Sequence, residues 1–463
     1  MNTFGEATLG ELAQALRGDL IRPDDPGYDE ARSIWNGAHD RRPALIVRCH
    51  GVADVLKAVE FARSEGLPLA VRGGGHSIPG FSTVDGGLVL DLSPMNGIRV
   101  DPGRGTVVAQ GGCLWRDVDA ETQAFGLAVT GGLISSTGIG GFTLGGGIGW
   151  LVRKAGLTCD NLIAADIVTA DGQYLHTSEQ ERPELLWALR GGGGNFGVVT
   201  SFELRLHEVG PTVFGGLVFY PGEHAEQIMH GFRAATANAP DELSALINMT
   251  TAPPAPFLPE EVHGKPIVAV GAMWAGHAED GDAATRSLRS LAPVITDLFG
   301  PMPYTALQGL LDGFAPRGWL NYHRGHHLTS LPDDVIDAYL ANGRDIGSPM
   351  TQGVIFRNGG AIADVAEDAT AASDRSAPYL AHPIACWRSD AETRHEMDWV
   401  KGFSAAFEPA MTGGVYLNFE PGTEESDVRA GYGDAKLQRL AALKQQWDPE
   451  NLFRSNHNLA AGA

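Results

Sequence analysis

The chain is poor in cysteine: Cys49, Cys113, Cys159 and Cys386 are the only four in 463 residues. Their scattered positions show no paired spacing, which argues against a disulfide framework and a thiolate zinc module, so buried free thiols are expected. Basic charge is also short, with 6 lysines and 28 arginines facing 56 acidic residues for a net charge of −22. Nucleic acid and anionic membranes both require basic faces, so neither is expected as a partner. No run approaches the ~20 apolar residues of a membrane span. Residues 1–20 lack a basic start followed by an apolar core, and a cytoplasmic location is expected.

Glycine is abundant instead, 61 residues in all. Val71-Arg72-Gly73-Gly74-Gly75-His76-Ser77 follows an apolar strand-like segment and ends in a histidine. Gly131 to Trp150 is a longer glycine-rich stretch, and Arg190 to Thr200 a third. Such runs forgo packing area and carry a high folding entropy, so three within 130 residues imply a large ligand that the backbone touches closely. Consecutive glycines can turn their N–H groups toward one point, as pyrophosphate binding requires.

A chain of this length suggests two or three domains or one large composite. Helical spacing at residues 7–17 and 52–65 and short strands at 44–47, 69–71, 87–91, 98–100, 106–110 and 163–169 read as an α/β region. Beyond Pro211, strand-like runs at 213–220, 266–274, 352–356 and 378–387 alternate with helical ones at 225–237 and 280–291. That pattern predicts an antiparallel sheet covered by helices. A last helix is expected over 435–446.

These segments, with Lys154 to Leu162, Asn195 to Thr200, Tyr416-Leu417-Asn418-Phe419 and Trp447 to Asn458, resemble the FAD-linked oxidases of the vanillyl-alcohol oxidase superfamily, in the berberine-bridge-enzyme-like branch. The resemblance implies an α+β fold in three parts. These are an FAD-binding domain over 1–210 (PCMH-type core 38–211), a substrate-binding domain over 211–412 and a C-terminal segment over 413–463 that returns to the first. It implies FAD bonded covalently through His76. The expected cofactor contacts are Arg72, Gly73, Gly74, Gly75, Ser77, Gly132, Ser136, Thr137, Gly138, Gly140, Gly141, Gly146, Gly147, Val198, Val199, Tyr416, Asn418 and Asn456.

The departures from the family pattern are informative. Ile134 stands where many relatives carry a second, cysteinyl link, so a single link is expected. Thr137, close to valine in volume, occupies the position that controls oxygen access, which favours an oxidase. Phe419 replaces a tyrosine that serves relatives as general base. His382 and Tyr416 are the alternative bases, His382 because imidazole accepts protons near neutrality and Tyr416 because strand alternation would put it on the face of Asn418. Trp319, Asn321 and His323 would share a strand face at the substrate; His323, His326 and His327 offer no carboxylate to complete a metal site. The reading is an oxidase that takes hydride from an alcohol or amine carbon of a small molecule, such as a secondary metabolite, and returns electrons to dioxygen as hydrogen peroxide. Alternatives are a dehydrogenase or reductase that excludes oxygen, or a non-catalytic flavin-binding protein. A monomer or homodimer is expected.

Overall fold

The computed structural model describes residues 5–422 and 424–459. Its first region holds two sheets. One is four-stranded, in the order Asp19–Ile21, Leu45–Arg48, Leu88–Asp91, Leu69–Arg72, with the last three mutually parallel. The helix Val52–Ser64 makes the crossover, burying Val55, Val59, Phe61 and Ala62 as their spacing predicts. The other sheet is five-stranded and antiparallel, with Val198–Arg205 at its centre between Thr106–Gln110 and Leu162–Val168.

The second region is a ten-stranded sheet. Its central strands are Pro266–Trp274, Leu243–Thr251, Gln352–Arg357 and Tyr379–Trp387, all antiparallel to their neighbours. Alternation sends Ile247, Met249, Val268, Val270, Ile355 and Ala381 to one face, where they pack under the helices Ala225–Thr236, Asp333–Gly343 and Thr393–Ala406. The residues between them, Leu246, Asn248, Thr250, Val354 and His382, point to the opposite face and line a cavity.

Several expectations are corrected here. The helix expected over 280–291 is broken into Gly281–Thr285 and a single turn at Arg286–Leu288. The strand Leu243–Thr251 was not expected at all; eight of its nine residues are buried, so it shows none of the polar alternation that marks a half-exposed strand.

The helices Glu425–Tyr432 and Asp434–Trp447 pack against the first region, where Leu437, Leu440 and Leu443 share a core with Phe196 and Leu186. All four cysteines are free and buried. Among the described residues no helix is long and apolar enough to cross a membrane.

Candidate active site

The cavity, about 410 Å³, opens between the two regions, with the glycine loops on one side and the sheet face on the other. Gly73, Gly74, Gly75, His76, Ser77, Gly132, Thr137, Gly138, Gly140 and Gly141 form the first wall, and Val199, Asn456 and His457 extend it. A Cβ on Gly74 would lie 2.6 Å from Gly138 Cα, and one on Gly138 would lie 2.7 Å from Gly74 Cα. The two loops therefore meet backbone to backbone, which only glycine permits. Among the described residues the amides of Gly74, Gly75, His76 and Ser77 find no acceptor. Successive free amides of this kind make an anion-binding concavity. Ser82 Oγ, Asn456 Oδ1 and His457 Nδ1 are buried without partners and belong to residues of the same wall. A cradle rich in glycine, with free backbone amides and unpaired polar side-chain atoms in its wall, fits a dinucleotide such as FAD.

His76 stacks on Trp35 with ring centroids 4.9 Å apart, and its Nε2 lies 2.8 Å from Ser136 Oγ. Burial, with a smaller contribution from Arg317, pushes its pKa down to about 4, so the ring is neutral across the physiological range. The loop carrying Ser136 and Thr137 is pinned to the second region, because Ser135 donates its backbone N–H and its hydroxyl to the Asp312 carboxylate at 2.7 and 2.6 Å. Asn36 adds a second tie, donating from Nδ2 to the carbonyls of Ile78 at 2.8 Å and Asn321 at 3.0 Å.

On the sheet side a chain of hydrogen bonds dictates one tautomer. Asn321 Nδ2 donates to the Trp319 carbonyl at 2.8 Å, which leaves Asn321 Oδ1 as acceptor for His323 Nε2 at 3.4 Å. His323 Nε2 must then carry the proton, so His323 Nδ1 is the lone pair that His382 Nε2 faces at 3.3 Å. His382 consequently donates from Nε2 and keeps an unprotonated Nδ1, which has no partner among the described residues. Phe419 stacks flat on this ring, 3.6 Å away and 1° from parallel, and holds its orientation. Burial, reinforced by His323 and His326, drives the His382 pKa well below the usual imidazole value. The ready protonation near neutrality expected from the sequence is thus replaced by a ring that stays neutral into acid.

Tyr416 reaches the cavity from the C-terminal side. Its hydroxyl accepts from the Gly147 N–H at 2.7 Å and from Asn418 Nδ2 at 3.3 Å, and burial raises its pKa. The pairing with Asn418 arises from a 3-10 turn over Leu417–Phe419, not from the expected strand alternation.

Other expected residues lie outside the cavity wall. Arg72 is 7% exposed and its guanidinium donates to Asp91 at 2.8 Å and to the Ala31 carbonyl at 2.5 Å, bracing the strand beneath the glycine loop instead of facing a cofactor. Val198 packs in the core with Val168, while its neighbour Val199 faces the cavity. Gly146 and Gly147 sit behind the wall, against Tyr416. Ser136 acts through its bond to His76. Trp319 lies under Arg388, 4.4 Å from the guanidinium carbon, whereas Asn321 and His323 do line the cavity. His327 turns to a separate void of about 30 Å³, and the described residues contain no cluster able to hold a metal ion. Asn248, Thr250 and Gln352 also line the cavity, and sequence reading missed them.

The buried imidazoles make stability sensitive to acid. Burial lowers His323 to about 3, His326 and His457 to about 4, and His382 well below its usual value. The unfolded chain takes protons on these rings below roughly pH 6.5 while the folded chain refuses them, so their contribution is complete above that pH and is lost as pH falls. Burial raises Asp119 and Glu420 to about 7, so their contribution runs the other way, present in acid and lost as pH rises through 7. Four imidazoles outweigh two carboxyls. The urea midpoint is expected to be lower at pH 5 than at pH 7.5, and an equal or higher midpoint would show that the rings are not held neutral.

Comparison with known proteins agrees with this geometry. Residues 43–178 match the family model described as FAD binding domain, and residues 415–460 match berberine and berberine like. An FAD-linked oxidoreductase of Dictyostelium discoideum is 32% identical over 455 residues, covering 97% of this chain and 96% of the relative. (R)-6-hydroxynicotine oxidase of Paenarthrobacter nicotinovorans is 32% identical over 470 residues, covering 96% and 97%. The crystal structure of 6-hydroxy-D-nicotine oxidase from Arthrobacter nicotinovorans superposes with a TM-score of 0.84 at 28% identity, covering 96% of this chain and 98% of that one.

Proposed function

Since the chain belongs to the berberine-bridge-like FAD-linked oxidoreductases, we propose that it is an oxidase that removes hydride and a proton from an alcohol or amine of a small organic molecule. The observation that carries this reading is the unprotonated Nδ1 of His382, a buried lone pair on a residue that lines the same cavity as His76 and the glycine cradle. FAD, once bound, would supply the electron sink for the substrate's hydride, with dioxygen as the final acceptor and hydrogen peroxide as the product.

The chain's own residues do the rest. The free amides of Gly74 to Ser77 would hold the pyrophosphate, and His76 would tether the cofactor through its ring. His382 Nδ1 accepts the substrate's hydroxyl or amine proton. The resulting positive charge is shared with His323 through the Nε2 to Nδ1 hydrogen bond, and the relay ends at Asn321, whose amide cannot pass a proton on. Tyr416, with two donors on its hydroxyl, positions the polar end of the substrate. The apolar walls around them exclude water. Thr137, in the glycine-loop wall of the same cavity, is small enough to leave dioxygen a path.

The test is reoxidation of the photoreduced protein in air-saturated buffer. Reoxidation within the time of a turnover supports an oxidase; reoxidation far slower than turnover with an artificial acceptor identifies a dehydrogenase. The base assignment has its own signature. A histidine of ordinary pKa would halve kcat/KM near pH 6.5, whereas His382 stays unprotonated into acid, so kcat/KM is expected to be level between pH 6 and 8. His382→Leu should lower kcat by about 10²–10⁴-fold with the flavin spectrum retained. Unchanged turnover in that variant would move the role to Tyr416.

A further inference from the structure

Among the described residues no Asp, Glu, Lys or Arg side chain lines the cavity. Its sheet face carries one amide pair, Asn248 and Gln352, each 7% exposed. Gln352 Nε2 turns to the Met350 carbonyl at 3.4 Å, which presents Gln352 Oε1 to Asn248 Nδ2 at 2.9 Å. That orientation leaves Asn248 Oδ1 buried in the wall with no donor. Asn248 pairs across the sheet with Val354, and Val354 with His382, so the orphaned acceptor lies two strand spacings, about 10 Å, from the base. On its other side Asn248 pairs with Ala269, and Ala269 with Phe219, which are apolar.

We propose that Asn248 Oδ1 is a specificity determinant that selects a neutral, largely apolar substrate bearing a second hydroxyl or N–H about two ring widths from the oxidised carbon. The inference rests on the oxidase reading only for the position of the reacting carbon. A donor is required because a buried acceptor without one is costly, and a charged group beside Asn248 is rejected because no charged side chain among the described residues lines the cavity to pair it.

Calorimetry on the holoprotein tests this with three non-oxidisable probes, in which a carboxamide stands where the reacting alcohol would. These are naphthamide, naphthamide with a hydroxyl at the far end of the second ring, and the same compound with a carboxylate there. The hydroxyl compound should bind about tenfold more tightly than naphthamide. The carboxylate should bind roughly a hundredfold more weakly than the hydroxyl compound. In Asn248→Leu the hydroxyl compound should fall to the affinity of naphthamide, whose own affinity is kept. Equal wild-type affinities for the hydroxyl compound and naphthamide, an Asn248→Leu loss shared by both, or binding of none of the three overturns the proposal. The wild-type ranking decides it even where the variant does not fold. Ranking by a colourless preparation would uphold the inference and remove the redox reading, and a yellow, reducible protein without ranking would do the reverse.

Discussion

Purified protein precipitated with acid is expected to keep its yellow colour in the pellet, and a His76→Ala variant to release all of it to the supernatant. Acid unfolds the chain and abolishes every non-covalent contact, so only a bond through a side chain keeps flavin with the protein. His76 is placed for that bond: it closes the free-amide loop, lines the cavity, and is aligned by Trp35 on one face and by Ser136 at Nε2. A ring lowered to about 4 is neutral at any physiological pH and so has a nucleophilic lone pair available. Ile134, in place of a cysteine, lines the same wall, and of the four thiols none does. The release should therefore be complete instead of partial. Colour that washes out of the wild type would end the covalent assignment, and colour retained by the variant would require a second link.

The second large effect is expected from Gly74→Ala or Gly138→Ala. Each added methyl meets the backbone of the opposite loop, where no side chain can swing away: Gly138 Cα stands 2.6 Å from one and Gly74 Cα 2.7 Å from the other. The loops must part, which costs about 1–3 kcal/mol and moves the four free amides out of register. The variants should lose most of their flavin and unfold at lower urea. Gly141→Ala is the control. Its methyl meets no protein atom within 4 Å, yet Gly141 lines the cavity. That variant should keep its fold and lose flavin only because the methyl occupies cofactor space. Visible absorbance per chain and urea midpoints read both effects, and full flavin content in Gly74→Ala would refute the account of the loop contact.

What could be read in the sequence divides along physical lines. The glycine loops were legible because their requirement is local: runs of residues without Cβ announce a backbone that something touches, and His76 follows directly in the chain. The helix Val52–Ser64 and the strands around it were legible because each buries one face and so shows a period. The strand Leu243–Thr251 was not, because it is buried on both faces, and with it went Asn248 and the substrate wall. The resemblance makes Arg72 a cofactor contact; only the packing of Asp91 and Ala31 around it reveals a brace.

The sequence by itself determined the glycine cradle and the histidine beside it, since these depend on residue types a few positions apart, and its resemblance to a family supplied the expectation of FAD and of the α+β architecture. Tertiary structure decided the chemistry of the other wall. His323 and His382 are 59 residues apart and meet only because their strands pair in register, and their tautomers are set by Asn321 and the Trp319 carbonyl. Whether an imidazole is protonated, and at which nitrogen, depends on what surrounds it. That information belongs to the packed sheet and to no single segment of the chain.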